Sequence, residues 1–320
     1  MAAPNVGELI ASTWPRLVTD KPEDQVFGDR WLFDQFTTKN GGLKKLDGGS
    51  PIEVSVEYAT NTTFRSYADM ETLDIQRIDV FDAAQYEWKE HSGTITYSLI
   101  EEFKNSGEGR KFDRIAGRLE NAISSHKDDI STAMYGTVAS NSKNINGLQD
   151  LVPDDPTTGT VGLINRATFT FWRSKQITDG GASFSTLRAN MRTMYNNCSK
   201  GMAGEHPTVI VTDQTSFEGY ESLLTANERF TDKTSGDAGY KNEALKFKGA
   251  KIGYDEDCGA GRMYFLNPKF IYVCVAKGVW VSLSKELEPV NQNARVRKVL
   301  SFLQFITKQP RRTGVITSIA

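Results

Sequence analysis

The longest periodic pattern in the chain lies between Asn105 and Gly136 and predicts one long helix. From Gly109 to Tyr135 this helix would be roughly 40 Å long, at about 1.5 Å per residue. A rod of that length is too long for a single crossover in a compact sheet protein, although the pattern alone also fits an ordinary core helix. Its apolar residues recur at three- and four-residue steps, which places them on one helix face: Phe112, Ile115, Ala116, Leu119, Ala122, Ile123, Ile130, Ala133 and Met134.

Two alternating stretches that precede the helix predict a β-hairpin. Pro51–Tyr58 alternates apolar and polar residues strictly, as a half-exposed strand does, and Ala84–Glu90 places Tyr86 and Trp88 on one face. The segment between them is polar, and His91–Gly93 predicts a turn into the next element. Because an isolated hairpin is only marginally stable in water, we expect this arm to rest on another surface, with partner subunits as the natural source.

The first 45 residues combine large apolar side chains with no regular pattern. Prolines at positions 4, 15 and 22 exclude a long helix before Asp24. We expect this arm to lie either against its own domain or against a neighbouring subunit, and the pattern leaves both alternatives open. Its large apolar residues are Trp14, Leu17, Val18, Phe27, Trp31, Leu32, Phe33 and Phe36.

Beyond the long helix, the turn-rich residues 136–166 predict a crossing into a second domain. Apolar residues from Phe184 to Met194 recur at helical spacing, and Asp213 is placed to cap a helix over Gln214–Leu224. The mixture of strands and helices indicates an α+β or α/β domain. The predicted strands are Thr208–Thr212, Ala244–Phe247, Ala250–Tyr254, Met263–Leu266, Phe270–Ala276, Val279–Leu283, Arg295–Ile306 and Thr313–Ile319.

Composition excludes several classes of protein. The chain has 320 residues, enough for one large or two ordinary domains, and its 38 basic and 40 acidic residues give a net charge of −2. This near-balance argues against a surface devoted to nucleic acid, for which a strongly basic domain is typical. The chain has neither an apolar run near the ~20 residues of a membrane span nor the pattern of a signal peptide at its start, so we expect a cytoplasmic protein.

The chemistry-bearing residues form no established catalytic or metal-binding motif. Cys198 and His206 are eight residues apart, but the glycine-containing segment between them favours a turn over a catalytic pair. For Asp255–Asp257 a solvated turn is favoured over a calcium loop, which requires more oxygen ligands. For Lys308–Arg312 a charged turn between two strands is favoured over a phosphate site. We therefore expect no enzyme activity, no metal and no cofactor.

Four segments carry a resemblance to a known family. Phe103-Lys-Asn-Ser-Gly107 opens the long helix, and Ile145-Asn-Gly-Leu-Gln-Asp-Leu-Val152 follows it. Ile164-Asn-Arg-Ala-Thr168 and Phe171-Trp-Arg173 come next. Together with the arm and the hairpin, their order resembles the major capsid proteins of tailed bacteriophages, which share the HK97-like fold. The resemblance covers nearly the whole chain and rests on the order of the parts.

The resemblance implies an α+β capsid fold with five parts. Residues 1–46 would be the N-terminal arm and 47–93 the extended β-hairpin loop. Residues 94–137 would form a peripheral domain around the long spine helix, and 138–276 the axial domain. The final strands, 277–320, would return to the peripheral domain. Some family members crosslink a lysine to an asparagine, but no such pair can be identified in this sequence.

The resemblance also implies a function: a structural subunit that assembles into pentamers and hexamers of an icosahedral capsid around double-stranded DNA, without reading its sequence. It would assemble in the host bacterial cytoplasm, away from membranes, with scaffolding, portal and decoration proteins as candidate partners. The alternatives are an encapsulin-like compartment holding enzymes and a soluble enzyme using Asp and Glu residues. Candidate inter-subunit contacts are Trp14, Trp31, Phe64, Arg65, Tyr67, Asp69, Glu71, Arg110, Lys111, Arg114 and Arg118.

Overall fold

The computed structural model describes residues 30–39, 41–49, 51–104, 114–180, 184–199, 205–224 and 245–320. These fall into two compact units. The described part of the smaller unit lies within His91–Asp129 and Val281–Ser301, and that of the larger within Asp29–Glu90, Ile130–Trp280 and Phe302–Ala320.

Strands dominate the described residues. In chain order they are β1 (Leu43–Leu46), β2 (Ile52–Glu57), β3 (Phe81–Tyr86), β4 (Lys89–Ser98), β5 (Thr160–Val161), β6 (Ile164–Asn165), β7 (Lys175–Thr178), β8 (Val209–Thr212), β9 (Lys246–Phe247), β10 (Ala250–Tyr254), β11 (Met263–Leu266), β12 (Ile271–Ala276), β13 (Ser282–Leu283), β14 (Ala294–Thr307) and β15 (Gly314–Thr317).

The described α-helices are α1 (Trp31–Asp34), α2 (Leu99–Lys104), α3 (Arg114–Tyr135), α4 (Leu148–Leu151), α5 (Leu187–Cys198) and α6 (Gln214–Ser222). A π-helical turn, Gln35–Lys39, continues α1, and 3₁₀ turns cover Thr170–Trp172 and Pro310–Arg312. The predicted cap of α6 is confirmed, because the Asp213 carboxylate accepts a hydrogen bond from the backbone N–H of Ser216.

A mixed sheet of six described strands forms the centre of the larger unit, in the order β7-β15-β11-β8-β10-β9. Its β8–β10 and β7–β15 pairs are parallel and the other pairs are antiparallel. Successive side chains of β8 point to opposite faces, so Val209 and Val211 join one hydrophobic core and Ile210 joins another. A sheet buried on both faces explains why its strands read as continuous apolar runs.

Helix α5 supplies much of the core on one face of this sheet. Leu187, Met191, Met194 and Cys198 recur at helical spacing and are completely buried there. The core on the other face contains side chains from α1 and the π-helical turn, including Trp31 and Phe36. The helix predicted around Leu187 and Met194 is thus confirmed, and it is an ordinary core helix.

In the larger unit, strand β12 of a second sheet pairs with β1 on one side and with the end of β14 on the other. The β1–β12 pair is parallel and the β12–β14 pair is antiparallel, with Val275 opposite Leu303. Strand β1 lies at the edge of this order. The Nζ atom of Lys44 on β1 lies 3.5 Å from the centre of the Tyr272 ring, an arrangement typical of a cation–π contact.

In the smaller unit β13 pairs with the first part of β14, and residues 114–129 of α3 add helical structure. Helix α3 confirms the predicted long helix from Arg114 onward, whereas residues 105–113 lie outside the described residues. The described part of the apolar stripe is unevenly buried: Ile130 and Met134 are buried, whereas Leu119 and Ile123 are half-buried. Buried residues of this unit are Ile95, Tyr97, His126, Val299 and Ser301.

Strand β15 is an inner strand of the six-stranded sheet, fully buried between β7 and β11. Two sequence-based expectations need correction. His91–Gly93 is not a turn, because these residues continue strand β4. The irregular arm is regular from Trp31 onward, where α1 and the π-helical turn bury its aromatic residues.

Candidate assembly surfaces

The base of the predicted hairpin is anchored in its own chain. Strands β2 and β3 pair with Ile52 opposite Tyr86 and Val54 opposite Ala84. These four side chains are buried in the core that also contains α1 and the π-helical turn. The Tyr86 hydroxyl donates a hydrogen bond of 2.9 Å to the carbonyl oxygen of Thr307. The expectation that partner subunits support the hairpin is therefore wrong for its base.

The tip of the hairpin, residues 58–80, is shaped by its own hydrogen bonds. The Tyr67 hydroxyl donates to the carbonyl oxygen of Thr63 at 3.0 Å and accepts from the N–H of Asp74 at 3.1 Å. The Glu71 carboxylate accepts from the N–H of Ala68, and the Arg65 guanidinium lies 4.9 Å from the centre of the Tyr67 ring. Three of the predicted contact residues thus help to hold the tip in one conformation.

Large apolar side chains are exposed on and beside this organised tip. Phe64 is 85% exposed, Met70 is 98% exposed and Ile75 is 93% exposed, and Leu73 and Phe81 are also exposed. Scattered exposed apolar residues are ordinary, but several on one short projection indicate an interaction site. Sequence reasoning selected Phe64 and Asp69, which is also exposed, but not Met70, Leu73 or Ile75. These three residues could have been identified as apolar residues that stand in a polar segment without the alternation of a strand.

The remaining residues predicted to contact a neighbour differ in their exposure. Trp31 is only 4% exposed and packs so tightly on Gly253 that a Cβ there would lie 2.2 Å from its ring, so it is not available to a neighbour. Arg118 is exposed but makes a bidentate ion pair with Glu101, with N–O distances of 2.9 and 3.1 Å. Trp14, Arg110 and Lys111, and the side chain of Arg114, lie outside the described residues.

The smaller unit has apolar exposure of its own. Phe103 on α2 is 80% exposed, and Val290 in the connection between β13 and β14 is fully exposed. Around them, Arg295 bonds to Glu102 at 2.8 Å and the Tyr97 hydroxyl donates to Glu286 at 2.6 Å. The hydrogen bond from Tyr97 and the one from Arg297 lower the pKa of Glu286. Other exposed apolar residues of this unit are Ile100, Leu283 and Leu287.

The chemistry-bearing residues have structural roles. Burial raises the pKa of the Cys198 thiol to about 12, so it is not a thiolate at neutral pH. Among the described residues, no three His, Cys, Asp or Glu side chains are grouped to hold a metal. Lys308–Arg312 is a turn between β14 and β15, as predicted, and Arg312 within it bonds to Glu205 at 3.3 Å.

Asp255 corrects the expectation of a solvated turn. Its side chain is buried, and its carboxylate accepts hydrogen bonds from the N–H groups of Leu32 at 3.0 Å and Asp257 at 3.2 Å. Desolvation raises its pKa to about 6, because burial outweighs these bonds. Asp255 therefore ties the start of α1 to the turn after β10.

Solved shell proteins are similar to this chain over almost its entire length. The capsid asymmetric unit of cyanophage A-1(L) matches with a TM-score of 0.72 and 17% identity, over 94% of this chain and 96% of that chain. The capsid of Myoviridae phage XM1 matches with a TM-score of 0.61 and 11% identity, over 97% and 98%. The chain has an HK97-like capsid fold. The predicted α+β fold class is thereby confirmed.

The chain is also similar in fold to an encapsulin complex. The holo-SrpI encapsulin complex from Synechococcus elongatus PCC 7942 matches with a TM-score of 0.62 and 10% identity, over 100% of this chain and 96% of that chain. No protein-family model matches the sequence, and no curated protein is significantly similar to it. Among the described helices of this HK97-like chain, none has the length and apolarity that crossing a membrane requires.

Proposed function

We propose that the chain is the structural subunit of a tailed-phage capsid, assembling into pentamers and hexamers of an icosahedral shell around double-stranded DNA. The observation that carries this proposal is an HK97-like fold over nearly the full chain, joined to an organised tip with exposed apolar side chains. The role is structural, without enzyme activity. Its place is the virion, after assembly in the host cytoplasm.

The hairpin supplies a mechanism for assembly. Its base is fixed to the larger unit, and its tip is organised by the bonds of Tyr67 and Glu71, so little conformational freedom is lost on contact. Burying one apolar side chain of the tip against a neighbour contributes about 1.5–3 kcal/mol. A closed symmetric shell repeats such a contact at every subunit, so interfaces of modest strength add to a stable particle.

The overall charge suits a wall around DNA. With 38 basic and 40 acidic residues the chain is close to neutral, so it lacks the strong positive charge that drives tight phosphate binding. Sequence is read through base edges, which an enclosing wall does not need to reach. Candidate partners are scaffolding, portal and decoration proteins, which the exposed apolar residues of the smaller unit would suit.

Electron microscopy of the full chain expressed alone tests this function. The native sequence should form closed shells. Met70→Asp combined with Ile75→Asp should leave a folded protein that forms no shells. The matched control is Thr62→Asp with Thr72→Asp, which adds the same charge at exposed polar positions of the tip and should still allow shells.

Two results would contradict the proposal. Normal shells from the Met70→Asp, Ile75→Asp variant would exclude the tip as an assembly contact. A small oligomer of the native chain that turns over a substrate would favour the soluble-enzyme alternative.

The encapsulin-like compartment is the second candidate function, favoured by the match to the holo-SrpI encapsulin complex over this whole chain. Both functions predict shells, so shell formation does not separate them. Particles isolated from the native source would: packaged double-stranded DNA supports the capsid, whereas packaged enzyme without DNA supports the compartment.

A further inference from the structure

Two of the three histidines of the chain pack against each other in the smaller unit. His91 lies on β4 and His126 on α3, and their ring centres are 4.6 Å apart with the planes tilted by 46°. His126 is 4% exposed, whereas about a third of the His91 side chain is exposed. The pair therefore joins two elements that are 35 positions apart in sequence.

A buried serine determines which form of His126 fits the site. The His126 Nε2 atom lies 2.8 Å from the hydroxyl of Ser301 on β14, and that hydroxyl also accepts the backbone N–H of Val281 at 2.9 Å. Ser301 is completely buried, and among its described contacts the Nε2 atom is the acceptor for its hydroxyl proton. A neutral imidazole accepting at Nε2 gives the hydroxyl proton of Ser301 a partner, whereas a protonated ring would leave that proton without one.

The charges around the pair also favour neutral rings. Helix α3 contributes one anion, Asp129, whose exposed carboxylate lies 3.9 Å from His91 Nε2. The other contacting elements contribute no charge to the described cluster: β4 supplies His91 itself, β14 the hydroxyl of Ser301, and the segment before β13 the N–H of Val281. One screened carboxylate faces two rings that would both be cations in acid.

The pKa shifts agree with this geometry. Desolvation, with a smaller contribution from His91, lowers the pKa of His126 to about 4, and Asp129 opposes it. Desolvation also lowers the pKa of His91, again opposed by Asp129. The folded pKa of His126 lies below the unfolded value of about 6.5, so the unfolded chain binds protons first. The contribution to stability is therefore complete above about pH 6.5 and is lost as the pH falls towards 4.

We propose that the His91–His126–Ser301 cluster is an acid-sensitive lock that holds β4, α3 and β14 together while both rings are neutral and releases them when the rings are protonated. This property belongs to the single chain and does not depend on the proposed shell function. It would make the smaller unit, and not the six-stranded sheet, the first part of the chain to loosen in mild acid.

Hydrogen exchange of the purified full chain at pH 7.5 and pH 5.0, corrected for the intrinsic exchange rate, tests the lock. Protection of β4, α3 and residues 294–301 should fall relative to that of β8 and β11. The fall should be up to roughly 30-fold, as expected when a group of ordinary pKa titrates near 4 in the folded state. In the double variant His91→Gln, His126→Gln, the fall in protection should be less than about threefold, because the glutamine amides do not titrate.

His206→Gln, which removes the third histidine and leaves the pair intact, is the matched control and should behave as the native chain. If the double variant does not fold, His91→Gln alone keeps the buried ring and should reduce the fall by removing the second positive charge. An equal fall in the native chain and in the variants of His91 and His126 would overturn the proposal. A native smaller unit whose relative protection does not change with pH would also overturn it.

Discussion

The Tyr86 hydroxyl donates a hydrogen bond to the carbonyl oxygen of Thr307, joining the last residue of β3 to the last residue of β14 at 2.9 Å. The two residues are 221 positions apart, and both are buried in the larger unit. The bond fixes the base of the hairpin, and therefore the direction in which its tip leaves the unit.

Tyr86→Phe tests this attachment. The ring still fills its place in the core, but a buried hydrogen bond is lost, which should lower the free energy of unfolding by about 1 kcal/mol. Urea denaturation measures the change. Tyr58→Phe is the control, because Tyr58 lies at the opposite, tip end of the β2–β3 pair, where it is exposed and its ring stacks on Phe171. Equal effects of the two variants would contradict a special role for the Tyr86 hydroxyl.

Trp31→Ala should destabilise the subunit itself. Its indole is buried against Gly253, so truncation leaves a large cavity and should cost about 3–5 kcal/mol. Thermal denaturation and soluble yield measure this loss. Phe64→Ala, at an exposed site, should change stability by less than about 0.5 kcal/mol. A Trp31→Ala subunit of native stability that fails only in assembly would restore the sequence-based interpretation.

Leu163→Asn should stabilise the subunit. Leu163 and Gly162 form the turn between β5 and β6, and both have positive φ, 64° for Leu163. The left-handed region costs a leucine about 1–2 kcal/mol, and asparagine tolerates it better, so a gain of up to about 1 kcal/mol is expected. Leu163→Ala keeps the strain and serves as the control. An alanine variant as stable as the asparagine variant, by urea denaturation, would exclude strain as the cause.

Asp255→Asn should remove one pH-dependent component of stability. The folded pKa of Asp255, about 6, lies above its unfolded value near 4, so the contribution of its protonated form is complete below pH 4 and is lost as the pH rises through 6. As the pH rises from 5 to 7.5, the native chain should lose this contribution and the variant should not. The free energy of unfolding of the variant minus that of the native chain should therefore increase over this range. Urea midpoints at the two pH values measure this. A constant difference between the proteins would contradict the raised pKa.

The local sequence pattern predicted best the strands that are buried on both faces. Ala250–Tyr254 and Met263–Leu266 match β10 and β11 at both ends, because strands buried on both faces read as apolar runs. Asp213 was identifiable because capping is a local interaction.

Tertiary context decided the features that the pattern missed. His91–Gly93 resembles a turn, but pairing of β4 with β14 extends the strand through it. The place of β15 depends on its partners β7 and β11, which no local pattern reveals. Met70 and Ile75 were not selected as contact residues because each is an apolar residue in a polar segment without alternation, and the structure leaves both exposed.

Strand β1 ends its sheet with two adjacent lysines, Lys44 and Lys45, both exposed. A further strand added at this edge would have to cover those charges, and lysines on an edge strand discourage such pairing. The two lysines therefore disfavour open-ended growth of fibres through β1. In the shell that we propose, association would be left to other surfaces, whose geometry would limit the size of the product.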